Sequence, residues 1–428
     1  MAAIRRSLPA HRAKRVEFLH DGELLGAQAG ESLAHALIAA GRLVLARSPK
    51  LHRPRGPYCL RAACDGCLMR VDGRPNVLAC RTRLVGGETV ETQNVLGTRE
   101  LDLLSATDFL FPHGIDAHRL LTSVTGASGV VTKLARRIAG LGRLPDEVVP
   151  PTPAERRQVD ILIVGGGAAG LELAAAFGAR ATLIDDALEL GGMKRCLEPK
   201  SAQDLIARAR TAGAELFAET TALGVYREPD DGSGRLNVPC SRAGRITLYR
   251  ARWLLLASGC HDAVPSFIGA DLPGVLSARA GLELEAAGIV PDERVILVGA
   301  SAAISTLGRR LEGHVVSQIE EPTDVERAVG KLRLRGALVR SREGALRRLR
   351  AGVLFYDAPS APAFELAVQS GGAVEYVAGR GYVPVLDPGG RAAPNVFCAG
   401  SMTGIEDPLR DERLSRVVRT LSAELAQG

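Results

Sequence analysis

Aromatic side chains are what this chain has least of: one Trp, six Tyr and nine Phe make up 4% of its 428 residues. Its cores must therefore be built from aliphatic and small residues, and plentiful Ala and Gly suit close packing of helices on sheets. Long apolar runs are missing too. The one low-charge stretch near membrane length, Ile161–Ala179, holds three consecutive glycines and Glu172, which reads as strand, turn and helix. No integral membrane segment is expected. The opening MAAIRRSLPAHRAKRVEF is basic but has no apolar segment behind it, which argues against a secretory signal and for the cytoplasm. The net +6, mostly Arg, reads as scattered through 151–428 rather than gathered into one run, so nucleic acid is not an expected partner. Short-period repeats and low-complexity tracts are absent. No Ser/His/Asp or paired-carboxylate arrangement stands out, and the eight histidines are dispersed.

What is present falls into two patterns, on a chain long enough for two or three domains. In the first, Val16–Gly22 reads as a strand and turn, and Gly30–Ile38 has the apolar spacing of a helix, the start of a β-grasp ferredoxin-like domain. Cys59, Cys64, Cys67 and Cys80 follow as C-x4-C-x2-C-x12-C, the first three in a loop and the fourth expected on a following strand. Plant-type [2Fe-2S] centres gather four thiolates in this way. Structural zinc is the other reading of four thiols, but zinc sites use two C-x2-C knuckles or Cys/His pairs. Asp65 stands where such loops usually carry glycine. Lys50, His52, Arg53 and Arg55 flank the cluster loop, either as a solvated surface or as one that docks a partner or raises the cluster potential. A last strand at Glu88–Thr92 closes this domain, 1–95. A helical connector, 96–157, ends in the proline-rich Val148–Pro153, which cannot continue a helix.

From 158 to 428 apolar runs alternate with helical stretches: Asp160–Val164, Ala181–Ile184, Trp253–Leu256, Val295–Val298 and Val396–Cys398. Buried strands alternating with helices make an α/β sheet, so the fold class is α/β plus α+β, a ferredoxin-like domain ahead of a Rossmann-type, two-dinucleotide-binding domain. The first strand feeds Gly165-Gly166-Gly167-Ala168-Ala169-Gly170. Gly165 permits the turn, Gly167 lets backbone approach a pyrophosphate, and Gly170 lets the helix pack on the strand. Asp185 ends the next strand at the spacing of a ribose-binding acid and disfavours a 2′-phosphate. Gly192 and Met193, then Gly259, then Gly400 and Ser401 extend this cofactor site. Ser401 replaces an Asp that would hold a ribityl chain, so FAD shares the site with NAD, ADP or ATP as candidates. A second half at about 290–385 has the strand and first glycine, Gly299, but Ser301 and Ile304 occupy the second and third glycine positions. Binding of NAD(P)H there is expected to be weak or absent, with Glu320 or Glu321 as its remaining ribose acid. Cys196 reads as a structural thiol. Cys260 and His261 lie after Gly259, where packing is the commoner role.

Ser48–Cys59, with Gly30–Ala34 before it and Glu91–Asn94 after it, is similar to the α subunit of heterotetrameric sarcosine oxidase and its relatives, hydrogen cyanide synthase, opine and hydroxyproline dehydrogenases and archaeal proline dehydrogenase complexes. The resemblance extends through Phe109–Pro112, the first dinucleotide motif and Leu272–Val275. It implies that the amine is oxidised by an FAD-dependent β subunit of the amino-acid-oxidase type. This chain would then be the electron-relaying partner in a hetero-oligomer, with place for a further small cluster-bearing subunit. Any membrane association would be peripheral, through the electron acceptor. No folate-binding C-terminal domain follows, so tetrahydrofolate chemistry is not expected, and the four cysteines place the chain nearer the dehydrogenase branch. The other readings are a free-standing NADH-dependent FAD/[2Fe-2S] reductase and a subunit with a purely structural nucleotide.

Overall fold

The structure, a computed structural model, describes residues 3–5, 14–48, 52–95, 150, 152–227, 234–404 and 409–427. The connector expected over 96–157 falls mostly outside these, as do Phe109–Pro112 and Lys50. Contacts divide the chain into two interleaved units, Met1–Val149 with Val264–Ala358, and Pro150–Ala263 with Pro359–Gly428. The degenerate nucleotide half is thus an insertion, 264–358, that groups with the cysteine-rich region.

In the first unit a five-stranded sheet runs in the order Glu23–Gln28, Arg15–His20, Thr89–Glu91, Leu68–Val71, Arg74–Leu78. Arg15–His20 and Thr89–Glu91 pair in parallel and the remaining neighbours antiparallel, a β-grasp arrangement. Ser32 caps the helix Leu33–Ala39, its hydroxyl accepting from the His35 amide at 3.1 Å. That helix buries Leu33, Leu37 and Ile38 completely, each contributing about 1.5–3 kcal/mol by leaving water. The inserted half builds a parallel sheet in the order Val275–Ser277, Val353–Tyr356, Val295–Val298, Val315–Ile319. Three antiparallel strands, Val325–Gly330, Leu334–Arg340 and Leu346–Leu349, form a separate meander.

The second unit is a nine-stranded sheet whose centre is Ala181–Ile184, Glu155–Val164 and Arg245–Leu256, paired in parallel, with Val396–Cys398 also parallel to the last. Its strands read as unbroken apolar runs because both faces are covered. Ile161, Ile163, Trp253 and Leu255 join one core with the helix residues Leu171 and Leu205. Leu162, Val164, Leu254 and Leu256 turn to another, formed with Val238 and Tyr249 of the antiparallel hairpin Leu236–Arg242 and Arg245–Leu256. No helix among the described residues is long and apolar enough to cross a membrane.

Candidate cluster loop and nucleotide cradle

The four cysteines meet around one loop. Cys59, Cys67 and Cys80 are buried and Cys64 is partly so. Among the described residues no group of three or more His, Cys, Asp or Glu is placed to hold a single metal ion. The four cysteines come instead as two pairs. The Cys59 Sγ donates to the Cys64 Sγ at 3.3 Å, and the Cys80 thiol is hydrogen-bonded to Cys67. Two pairs suit two irons, one pair to each, better than a single tetrahedral zinc ion. The fourth cysteine corrects the sequence expectation. Its strand stops at Leu78, and Cys80 sits in the tight turn Ala79–Arg81, which folds the chain back onto the loop.

The backbone is bent to serve these sulfurs. Leu60 and Ala62 have φ of 54° and 59°, left-handed values that cost non-glycine residues on the order of 1–2 kcal/mol each. That bend aims the Arg61 amide at the Cys59 Sγ, 3.3 Å away, and the Ala62 amide at Cys80. The Cys64 thiol is lowered to about 6, first by the bond it accepts from Cys59, with the amides of Cys59, Gly66 and Tyr58 assisting. Cys59 and Cys80 are pushed up, by the thiol bond within each pair and then by burial. The Arg81 charge works against that rise at Cys80, and its guanidinium donates to the Arg61 carbonyl at 3.1 Å. Inward amides and a nearby cation are what a net-negative cluster of thiolates requires. Asp65 is tolerated because the tight position is its neighbour: a β-carbon at Gly66 would lie 2.1 Å from the Gly56 carbonyl oxygen.

In the second unit four loops converge. Gly165, at φ 114°, could bear no side chain, since its β-carbon would lie 2.2 Å from the Ala257 carbonyl oxygen. A β-carbon on Gly170 would lie 1.8 Å from the Gly165 carbonyl oxygen, so this glycine sets the helix Ala168–Phe177 against the strand. Around Gly167 there is open space. Gly191 donates to the Gly166 carbonyl at 2.8 Å, and Gly192 stacks over Gly167. Met193 begins the turn into Lys194–Leu197. Gly400 lies against Ala169, and Gly259 faces Ser401. Asp185 accepts from the Gly166 amide with one carboxylate oxygen and from the Ala187 amide, at 2.7 Å, with the other. Gly165, Gly167, Ala168, Ala169, Gly170, Asp185, Gly192, Met193, Gly259, Gly400 and Ser401 thus share one region, an open cradle at a helix N-terminus with an acid beside it.

Residues 13–95 match the family model of a 2Fe-2S iron-sulfur cluster binding domain. The sarcosine oxidase subunit alpha of Rhizobium meliloti (strain 1021) is 29% identical over 336 residues, 69% of this chain and 33% of that protein. The hydrogen cyanide synthase subunit HcnA of Pseudomonas aeruginosa is 36% identical over 86 residues, 20% of this chain and 81% of that protein. The L-proline dehydrogenase of P. horikoshii shares the fold, with a TM-score of 0.70 at 23% identity over 92% of this chain and 70% of that one. Through its 2Fe-2S domain the chain belongs to the family of hydrogen cyanide synthase subunit HcnA, and over 69% of its length it is similar to sarcosine oxidase subunit alpha. The chain joins a 2Fe-2S domain to a fold shared with two solved oxidoreductases, L-proline dehydrogenase and thioredoxin reductase. It spans about a third of the length of the sarcosine oxidase subunits it matches.

The second nucleotide half carries its own cap at the helix N-terminus. The Ser301 hydroxyl accepts from the Ile304 amide at 3.2 Å, capping the helix Ala302–Arg310 with the protein's own side chain. Ile304 is fully buried, so the position of the third glycine is a packing residue. Gly299 keeps the turn, at φ 117°, while Glu320 and Glu321 lie exposed after the strand Val315–Ile319. Cys196 is buried. The Cys260 thiol donates to the Ser401 carbonyl at 3.2 Å, and His261 Nε2 lies 2.8 Å from the Glu365 carboxylate. Sequence reasoning missed Gly66, Arg61 and Arg81. Gly66 beside Cys67 was the available signal.

Proposed function

We propose that this chain is the electron-relaying α-type subunit of a heteromeric, flavin-dependent dehydrogenase or oxidase acting on an amine or amino acid of the sarcosine, proline, hydroxyproline or opine kind. Cys59, Cys64, Cys67 and Cys80 would hold a [2Fe-2S] cluster, and the cradle around Gly165–Gly170 would hold FAD, with Gly167 leaving room for its phosphates and Asp185 the acid for a ribose. The substrate is oxidised on an FAD-dependent, amino-acid-oxidase-type β subunit in the cytoplasm, and electrons pass through this chain one at a time. The cluster supplies a one-electron site. The chain's own residues supply its amide donors, the Arg81 charge and the exclusion of water from three of the four thiols.

The observation that carries this reading is the pairing of the thiols, Cys59 with Cys64 and Cys67 with Cys80, in a loop whose amides face the sulfurs. The self-capped Ser301 weighs against the free-standing NADH reductase, because it already takes one amide, that of Ile304, at the helix N-terminus that would meet the pyrophosphate. To test it, the purified chain is denatured and its released nucleotide and iron are identified. FAD with about two irons per chain supports the relay. Zinc, or a chain with neither iron nor flavin, overturns it.

A further inference from the structure

The net charge of +6 is not scattered as the sequence reading supposed. Residues 325–350 hold nine basic and two acidic side chains, a net of +7 that outweighs the whole chain's. This segment is the antiparallel meander of the first unit. Its buried side is Val325, Ala328, Leu334, Ala337, Val339 and Leu349. Cross-strand register places Arg327, Leu338 and Arg348 in one row and Arg340 beside Leu346 in the next, with the four named side chains at the row ends exposed. Arg340 is neutralised by Glu326 at 2.8 Å and Arg333 by Glu293 at 2.6 Å. Among the described residues Arg327, Arg335, Arg347 and Arg348 have no acidic partner. On the exposed face Arg327 and Arg348 flank Leu338 in one row with Arg340 in the next, and a sheet gains nothing in stability from cations set so close.

The meander hangs from the support of the cluster loop. The Leu334 amide donates to the Pro273 carbonyl at 2.9 Å. Pro273 packs against Gly56, whose β-carbon it would leave no room for, and Gly56 precedes Cys59 by three residues. The neighbouring Arg55 pairs with Asp271 at 2.7 Å, and the Tyr58 carbonyl accepts from Ser277 at 2.9 Å. The chemistry of the patch selects its partner. Guanidinium forks match carboxylates two bonds at a time. Leu338 and the exposed Leu346 give the centre some apolar surface, as protein interfaces have. No aromatic residue occurs in 325–350 to stack a base or sit at a lipid interface.

We propose that the meander 325–350 is the docking surface for an acidic one-electron carrier protein that exchanges electrons with the cluster held by Cys59, Cys64, Cys67 and Cys80. This rests on the relay reading above. In the transfer the carrier gains one electron and the cluster loses one, and no bond or proton changes hands. The test uses the full-length holoprotein, its cluster reduced with dithionite and the excess removed, mixed in stopped flow with plastocyanin as acidic acceptor, cytochrome c as basic acceptor and duroquinone as neutral acceptor. Arg327→Glu with Arg348→Glu is expected to slow plastocyanin about tenfold or more at low salt, to erase most of its salt dependence, and to leave duroquinone unchanged. Arg327→Gln with Arg348→Gln, which cannot introduce new repulsion, should give an intermediate loss. An unchanged plastocyanin rate in both double variants overturns the docking proposal, as does a charge reversal that abolishes binding to phosphatidylglycerol vesicles but spares plastocyanin. A wild-type chain whose cluster duroquinone cannot oxidise overturns the relay reading, and the docking proposal with it.

Discussion

Gly167 and Gly170 stand three residues apart and are glycine for different reasons. A methyl group on Gly170 would collide with the Gly165 carbonyl, whereas one on Gly167, at φ −75°, would meet open space. Gly170→Ala is therefore expected to destabilise the fold by about 3 kcal/mol, read by chemical denaturation, and to lose the nucleotide as a consequence. Gly167→Ala should leave the denaturation midpoint of nucleotide-free protein within about 0.5 kcal/mol of wild type and still weaken nucleotide binding at least tenfold; unchanged binding would refute the placement of the pyrophosphate. At the cluster, Cys80→Ser should cut iron content from about two per chain to a small fraction, with visible absorbance lost in proportion. Two buried thiols away from the cluster respond to pH in the opposite way to reactive ones. Burial pushes Cys240 and Cys398 up to about 12 from an ordinary 9.0. Their stabilising effect is complete below the ordinary value and drains away as pH rises toward the higher one. Native protein should show no labelling of either by a thiol reagent between pH 7 and 9, and mass spectrometry finding modification there would contradict their burial. The cysteine spacing and the glycine run were legible because each is a local pattern. Gly66, Leu60 and Ala62 were not, since what constrains them is a carbonyl ten residues away or a backbone bend that leaves no trace in residue type.

Elements bounded by chain reversals and apolar runs followed the sequence closely: Ala181–Ile184, Val295–Val298 and Val396–Cys398 are strands at those limits. Two boundaries moved for physical reasons. Glu155–Val164 and Arg245–Leu256 begin well before their apolar runs, because their first halves pair with each other and the second also pairs with Leu236–Arg242. Cys80 left its strand because the sulfur must turn inward to meet Cys67. The inserted half keeps the strand, turn and helix of a nucleotide motif with Ser301 and Ile304 at two of its glycine positions. Its Ser301 completes the helix N-terminus, so Ser301→Ala should cost about 1 kcal/mol of stability, measured by denaturation, with no change in NADH titration. A gain or loss of NADH affinity in that variant would mean that the second half binds nucleotide after all.

For the whole molecule, the order of domains along the chain was readable and their assembly was not. Residues 264–358 group with the cysteine-rich region rather than with the nucleotide half that precedes them, which contacts far apart in sequence decide and local periodicity cannot reveal. The charge distribution was hidden in the same way: nine cations spread over 26 residues form no run, yet three strands and their turns gather them on one small meander, five of them in the strands. The central claim is that electrons reach the cluster from a partner flavin and not from NADH. It is tested most directly by anaerobic electron paramagnetic resonance of the full-length chain in three samples: alone with NADH, with its amino-acid-oxidase-type partner, and with that partner plus an amine substrate. The account predicts the signal of a reduced [2Fe-2S] cluster in the third sample only, and a full signal with NADH alone would contradict it.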